Sequence, residues 1–558
     1  MKFFLSRHFL LLALLTGMFL CFIGPAAAKD DSEDLKKEVE SLKERIKELE
    51  KDASWNTEDI DYLSDRLDEA EMHTATDKVS MGIYLRTRAE SIHYNDIQAA
   101  PASVTRGFFT PWPDGFDGAS KAQIQQGMAA MLASETVPPP DEYDADNDII
   151  YTNKFRLEMK GQFNRQLSFR GRLAAYKVFG DSTGVKFNQG SLGDVSLDGN
   201  TSSLPHGDTI HLERAYFVYK KRFDKLPMSL SVGRRPSTQG PPLEYRNYSL
   251  VGGSPVATII NWQFDGASLT FGLEDLTGIP GASFKICYGL GYEKDWGNIT
   301  SLNYSESDLE DVHMLGFISD LYDNGKTSLM FNYAHAWDVT DGFTGLSVMP
   351  FTVSQNPDGT YDFTQNSGGF VSRLEPTTNI GDWDAASLLL RSKIETPNDH
   401  IDWFLAGSWS HTNPSKVSEN PFYNLMGMGL LSSGGDLESR DGYSIYAGVV
   451  CPMPFNARLG LEYNWGSEYW FNFTGAEDSL IGSKLAARGE VYEAYYIQPI
   501  MERNFFVKLG GQYYDYKYTG SGNPLGKPVE IDDLTAFDAI NPVIDKVWNA
   551  YLSATVQF

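Results

Sequence analysis

The chain has 558 residues and a net charge of -27, with 47 Lys plus Arg against 74 Asp plus Glu. That balance excludes nucleic acid as a partner, because a phosphate backbone recruits an excess of cations. It fits a surface that meets lipopolysaccharide and divalent cations. Aromatic residues make up 13%, 29 of them Tyr, which suits girdles at a membrane interface.

Residues 1–28 read as a secretory signal peptide. Lys2 and Arg7 form the charged start, Phe9 to Ile23 the apolar run, and Ala26, Ala27 and Ala28 the small-residue cleavage site. Leu20 before Cys21 is bulky where a lipidation signal needs a small residue. No CxxCH occurs, so covalent haem is excluded, and no cofactor is expected.

Residues 29–77 carry a heptad rhythm. Val39, Ile46, Ala53, Ile60 and Leu67 occupy one seam position. Leu35, Leu42, Leu49, Asn56, Leu63 and Ala70 occupy the other. Charges around so narrow an apolar stripe demand a partner helix, so this segment is predicted to be a short α-helical coiled coil. Arg45, Ile46, Leu49 and Glu50 resemble a trimer-specifying pattern, in which an Arg reaches a Glu of the next helix. The β-branched and Leu seam positions alone would also suit two strands.

From Val79 the period changes from helical to two. Val79, Met81, Ile83 and Leu85 alternate with Ser80, Gly82, Tyr84 and Arg86, and the same alternation returns along the chain. It predicts an all-β transmembrane barrel over 78–558 with sixteen antiparallel strands. They start near Val79, Ile149, Arg165, Thr209, Leu226, Phe264, Ser283, Leu309, Gly325, Trp383, His400, Arg440, Phe455, Leu485, Glu502 and Lys546. Connections alternate short turns, such as Asn164 and Asp323–Gly325, with long loops, such as 91–148, 339–382 and 413–439. Short turns on one side and long loops on the other are the outer-membrane pattern. An even strand number puts both ends, and the coiled coil, on the periplasmic side. The last strand alternates Trp548, Ala550, Leu552, Ala554, Val556 and closes on Phe558, which resembles the signal read by the barrel-insertion machinery.

If apolar residues face lipid, their alternates face the lumen. Arg86, Arg88, Lys154, Arg156, Lys160, Arg170, Arg172, Arg214 and Arg235 are then predicted to line the pore, opposed only by Glu90 and Glu158. Arg391, Lys393 and Arg458 join them later. A charge facing mid-membrane lipid would cost about 2–4 kcal/mol. Asp144, Asp146 and Asp148, in the first long loop, have spacing that could hold Ca²⁺, but Ile149 and Ile150 follow where a Gly is needed; no metal is expected.

The stretch Arg234, Arg235, Pro236, Gly240, Pro241, Pro242, Glu244 and Arg246 opens the third long loop. It resembles porins just before the loop that folds inward, so Arg234, Arg235, Pro236, Glu244 and Arg246 are predicted at a constriction. The same stretch resembles a functionally uncharacterised family of coiled-coil-tethered, porin-like outer-membrane proteins. That resemblance implies a barrel in the outer membrane of a Gram-negative bacterium and supplies no solute, while the likeness to trimeric porins favours three chains.

The function expected is passive diffusion of small hydrophilic solutes, with a mild anion preference from the basic wall. The alternative is a structural barrel, which sheathes an electron-carrying cytochrome or anchors the membrane to the cell wall. An enzyme is not expected: nine His are scattered, with no HExxH and no GxSxG.

Overall fold

The computed structural model describes residues 43–44 and 79–558, apart from 180–194, 197–209, 251, 293–308, 343, 349–350, 366–370, 375, 398, 432–434, 475–478, 523 and 525. The predicted signal peptide and, but for Lys43 and Glu44, the predicted coiled coil with Arg45, Ile46, Leu49 and Glu50 lie outside the described residues.

Sixteen strands close into one barrel, each bonded to its neighbours in sequence and the last to the first. They are β1 (Val79–Ala99), β2 (Asp141–Gln162), β3 (Leu167–Val178), β4 (Ile210–Phe223), β5 (Leu226–Arg234), β6 (Asp265–Gly272), β7 (Ser283–Tyr292) and β8 (Val312–Asp323). The second half is β9 (Thr327–Thr340), β10 (Asn379–Glu395), β11 (His400–Pro414), β12 (Arg440–Met453), β13 (Ala457–Gly466), β14 (Gly489–Met501), β15 (Phe505–Tyr516) and β16 (Lys546–Gln557). Closure removes the two open edges that a sheet would otherwise expose. At the seam Arg88 stands opposite Ser553, and Ile83 and Phe558 exchange backbone hydrogen bonds of 3.0 Å.

By its contacts the chain divides into residues 1–81 with 159–169, and residues 82–158 with 170–558. In the first unit the turn after β2 is built on Asn164, whose Oδ1 accepts from the Gln166 and Leu167 amides at 2.8 Å. The second unit carries everything described below.

The alternation is the reverse of a soluble protein's. Along β16, Val547, Asn549, Tyr551, Ser553, Thr555 and Gln557 are buried, while Trp548, Leu552 and Val556 point out. Leu388, Leu405, Ile445 and Leu509 likewise stand exposed on the outside. Each such Leu would lose roughly 1.5–3 kcal/mol by facing water instead of an apolar phase. Among the described residues no helix is long and apolar enough to cross a membrane; the elements with an apolar outer face are strands.

Fifteen of the sixteen strands begin within four residues of the predicted starts. The exception is β2, which begins at Asp141 rather than Ile149, so the first long loop spans 100–140 and not 91–148. The first eight residues of β2, Asp141 to Asp148, include six of Asp, Glu or Asn, so hydrophobic alternation does not mark this part of the strand. Hydrogen bonds continue the pairing: His93 Nδ1 meets Asp146 Oδ1 at 2.8 Å, and the Asp96 amide donates to Asp144 at 3.0 Å. Asp144, Asp146 and Asp148 therefore lie on a strand, not in a surface loop. Two of the three are already engaged, and no metal-binding group of His, Cys, Asp and Glu is found among the described residues.

The long connections are L1 (100–140), L2 (179–209), L3 (235–264), L4 (293–311), L5 (341–378), L6 (415–439), L7 (467–488) and L8 (517–545). Several are packed rather than loose. Phe108, Phe116 and Ile124 of L1, Phe351, Tyr361 and Phe363 of L5, Phe422 and Tyr423 of L6, and Phe537 and Ile540 of L8 form one apolar cluster. Phe108 sits about 5 Å, ring to ring, from each of Phe116, Phe351 and Phe363. Two small sheets tie the loops further: one joins L5 to L1, the other L5 to L2.

Candidate functional site

L3 leaves the wall at β5 and crosses to the opposite side. Gly240 permits the first bend, since a Cβ there would lie 1.7 Å from the Pro255 carbonyl oxygen; no larger residue fits. Near its start the loop is held by β2, β3 and β4. Gln239 Oε1 accepts from Arg156 at 2.9 Å and Arg172 at 3.4 Å, and the Thr238 carbonyl accepts from Arg214 at 3.2 Å.

A short helix, Leu243–Asn247, then reaches β10 to β15. Leu243, Val256 and Ala257 pack against Leu389, Phe404, Ala406 and Tyr446. Tyr245 stacks on Phe404, ring centroids 5.7 Å apart. Glu244 pairs with Arg391 on β10. Arg246 Nε meets Glu493 on β14 at 3.1 Å, and the Arg246 carbonyl accepts from Lys508 on β15 at 2.8 Å. Gln557 on β16 donates to the Tyr248 carbonyl at 3.0 Å. Burial raises the Glu244 carboxyl above the usual carboxylate range, with Arg391 opposing the shift.

L7 comes in beside L3. Phe473 and Thr474 pair in parallel with Ile260 and Asn261 of L3. Asn472 donates to the carbonyls of Thr258 at 2.7 Å and Leu485 at 2.8 Å. Ile259 and Trp262 of L3, Leu430 and Leu431 of L6, and Trp470, Phe471 and Phe473 of L7 share a core with Val312, Ala336 and Trp383 of the wall.

Below that layer lies a dense charge network. Lys484 of L7 bonds Glu462 on β13 and meets Glu493 at 2.7 Å, with all three side chains at most 2% exposed. Tyr446 and Tyr495 donate to Glu462, while Tyr551 and Gln512 donate to Glu493. Buried charges persist in this way only when paired and hydrogen-bonded.

The predicted wall cations divide into those brought together and those not. Arg88, Lys154, Arg156, Arg172 and Arg214 are buried inside. Arg88 pairs with Glu90 at 2.6 Å, Arg156 with Glu213 at 3.1 Å, and Arg172 with Glu158 and Glu213. Lys154 lies 5.0 Å from the Tyr176 ring centroid. Arg86 is half-buried, and Arg170 is exposed beside the turn end of β3. Glu213 was missed by the alternation because it and Arg214 are both buried where β4 is irregular. The early wall is consequently far less positive than its Arg count implies.

The constriction set also separates. Glu244 and Arg246 sit at the crossing. Arg234 instead bonds Asp265 at 2.7 Å where β5 and β6 meet, and Arg235 lines a small cavity of about 70 Å³ against Cys287 and Met314. Pro236 receives the Ser254 amide at 3.0 Å, which pins the loop's root. L7, with Lys484, was not anticipated at all. Its one legible sign was parity: Glu462 shares the inward face of β13 with Arg458 and Asn464.

A cavity of about 390 Å³ opens under L3 at the short-turn end. Lys326, Arg391, Lys393, Arg458 and Arg503 line it, with Glu244, Asp323 and Asp402 as its carboxylates. The inward placement expected for Arg391, Lys393 and Arg458 brings all three to this one space.

Four outward-facing His stand near the long-loop end. His93, His335 and His411 pair with Asp146, Asp384 and Asp441 at 2.8–2.9 Å, and Tyr288 bonds His313. Ser91 Oγ lies 2.8 Å from His93 Nε2, so Ser, His and Asp form a chain of hydrogen bonds. Ser91 is mid-strand with its backbone in the ladder to β16. Such a ladder offers no oxyanion hole of free amides, the usual requirement for acyl transfer.

Residues 144–558 match the family described as Protein of unknown function (DUF3373). The chain belongs to that family. No curated protein matches it. Among solved structures, the outer membrane protein OmpT of Vibrio cholerae, in a trimer form, is 11% identical. That match covers 86% of this chain and 99% of that one, with a TM-score of 0.36. OprB of Pseudomonas putida is 11% identical over 86% and 94%, with a TM-score of 0.40. OmpF of Salmonella typhi, in complex with daunomycin, is 12% identical over 87% and 99%, with a TM-score of 0.38. These neighbours are outer-membrane barrels, too distant to carry any solute or site to this chain.

Proposed function

We propose that this DUF3373 protein is an outer-membrane channel for small hydrophilic solutes, with its cross-section set by L3 and L7 and a mild preference for anions. One observation carries the reading. L3 spans the lumen, anchored by Gln239 on one wall and by Glu244 and Arg246 on the other, above a cavity with five cations against three carboxylates. A polar lumen with an excess of one sign concentrates ions of the other. The anion preference rests on this cavity more than on the early wall, where Arg88, Arg156 and Arg172 are paired.

The apolar outer face supports a membrane location, with lipopolysaccharide as neighbour. Phe558 at the seam supports recognition by the barrel-insertion machinery, and the heptads of 29–77 support a trimer. A sheath for a cytochrome would need an empty lumen, which L3 and L7 occupy.

Planar-bilayer recording under a KCl gradient tests the reading. Discrete conductance steps with a reversal potential on the chloride side are expected. Absence of steps, or strong cation selectivity, overturns it.

A further inference from the structure

The cavity under L3 is lined by five cations, of which three are in salt bridges. Among the described residues Lys393 on β10 and Arg503 in the β14–β15 turn make no ion pair, whereas Lys326, Arg391 and Arg458 are matched by Glu395, Glu244 and Asp399. Arg503 is held over the Tyr248 ring, 5.0 Å from its centroid. Lys393 stands directly opposite Asp402 in the β10–β11 register, yet the two form no salt bridge.

Asp402 supplies the independent sign. It is 8% exposed and lines the cavity. Its Oδ2 lies 3.3 Å from His400 Nε2, while Oδ1 is shielded from solvent with no hydrogen-bond partner. A buried acceptor left unsatisfied is costly, and native structures rarely keep one without a reason. The space therefore gathers two cations outside any salt bridge among the described residues, Lys393 next to Asp402 on the neighbouring strand and Arg503 at the β14–β15 turn, with an acidic acceptor in the same lining.

We infer that this cavity is a binding site for a small sugar acid: one carboxylate for Lys393 and Arg503, and hydroxyl donors for Asp402. A simple anion satisfies only the cations, and a neutral sugar only Asp402. The volume, about 390 Å³, lies within the range of small-molecule sites. Glu244 and Tyr245 of L3 form part of its lining, so a bound solute touches the segment that sets the pore. The inference rests on the channel reading for its route of access and deepens it by naming a solute class.

Isothermal titration of the full-length protein in detergent, with glucuronate, glucose and acetate as probes, tests it. Glucuronate should bind about tenfold more tightly than either of the others, the scale of one added charge-assisted contact. Lys393→Gln and the exposed Arg503→Gln should each weaken glucuronate about tenfold, and Asp402→Asn should bring it down toward acetate. Equal affinity for all three probes, or glucuronate binding unchanged in both cation variants, overturns the site. Conductance of the same preparation separates the two readings. Conductance without glucuronate preference sinks the site alone, and preference without conductance sinks the channel alone.

Discussion

Lys484→Met isolates what holds L7 inside the lumen. The Met keeps most of the apolar stem and removes the ammonium. Glu493 would still have Arg246 at 3.1 Å, Tyr551 at 3.0 Å and Gln512 at 3.1 Å. Glu462 would be left with the Tyr446 and Tyr495 hydroxyls at 2.6 and 2.9 Å and no salt-bridged cation among the described residues. Removing one partner of a buried ion pair costs about 3–5 kcal/mol. Two hydroxyls still solvate Glu462, so the lower end, ~3 kcal/mol, applies here. That is about two decades in the ratio of docked to released L7. In planar bilayers the variant should show larger or noisier conductance, and L7 should become cleavable by protease within 467–488. Adding Glu462→Gln removes the orphaned charge and should restore both properties, because a neutral buried pair is tolerated where a lone ion is not. A Lys484→Met variant with wild-type conductance and protease resistance would refute the argument, as would a failure of Glu462→Gln to rescue it.

Glu244 gives a pH dependence. Its carboxyl is raised by burial, so the docked loop binds a proton more tightly than the free loop does. Docking of L3 is therefore strongest below the free value of about 4.3 and weakens as pH rises through the raised value. Conductance should climb over that window, and Glu244→Gln should flatten the curve; a flat wild-type profile counts against the assignment. Phe108→Ala removes the ring at the centre of the loop cluster and should cost that cluster about 3–5 kcal/mol. L1 and L5 should become protease-sensitive while the barrel keeps its heat stability; simultaneous loss of both would mean that the cluster is not a separate layer.

The barrel was legible because strand parity is a local property. In β10 and β11, Leu388, Leu390 and Leu405 alternate with Arg391, Lys393 and Asp402, and a one-residue slip would turn those charges into lipid. This fixed strand number, inward face and the alternation of turns and loops. The rule failed at the end of β1, where Ile92, Tyr94 and Ile97 are the buried residues and the outward face is polar, and at the start of β2, where six of the first eight residues are Asp, Glu or Asn. It also failed at β4, where Glu213 and Arg214 both turn in.

Partnership was not legible. From the sequence, Arg88, Arg156 and Arg172 read as a basic pore wall, but the carboxylate shared by Arg156 and Arg172 comes from β4. The prolines and glycines of 236–253 showed that L3 is stiff and tightly bent. They could not show that Glu244 would meet Arg391 and Arg246 would meet Glu493, 147 and 247 positions further along the chain. The sequence by itself determined a closed wall, because the wall follows from nearest-neighbour alternation. The lumen's contents were decided only by tertiary structure. Which charge neutralises which across a barrel depends on the angular position of strands far apart in the chain, and on loops that no periodicity marks.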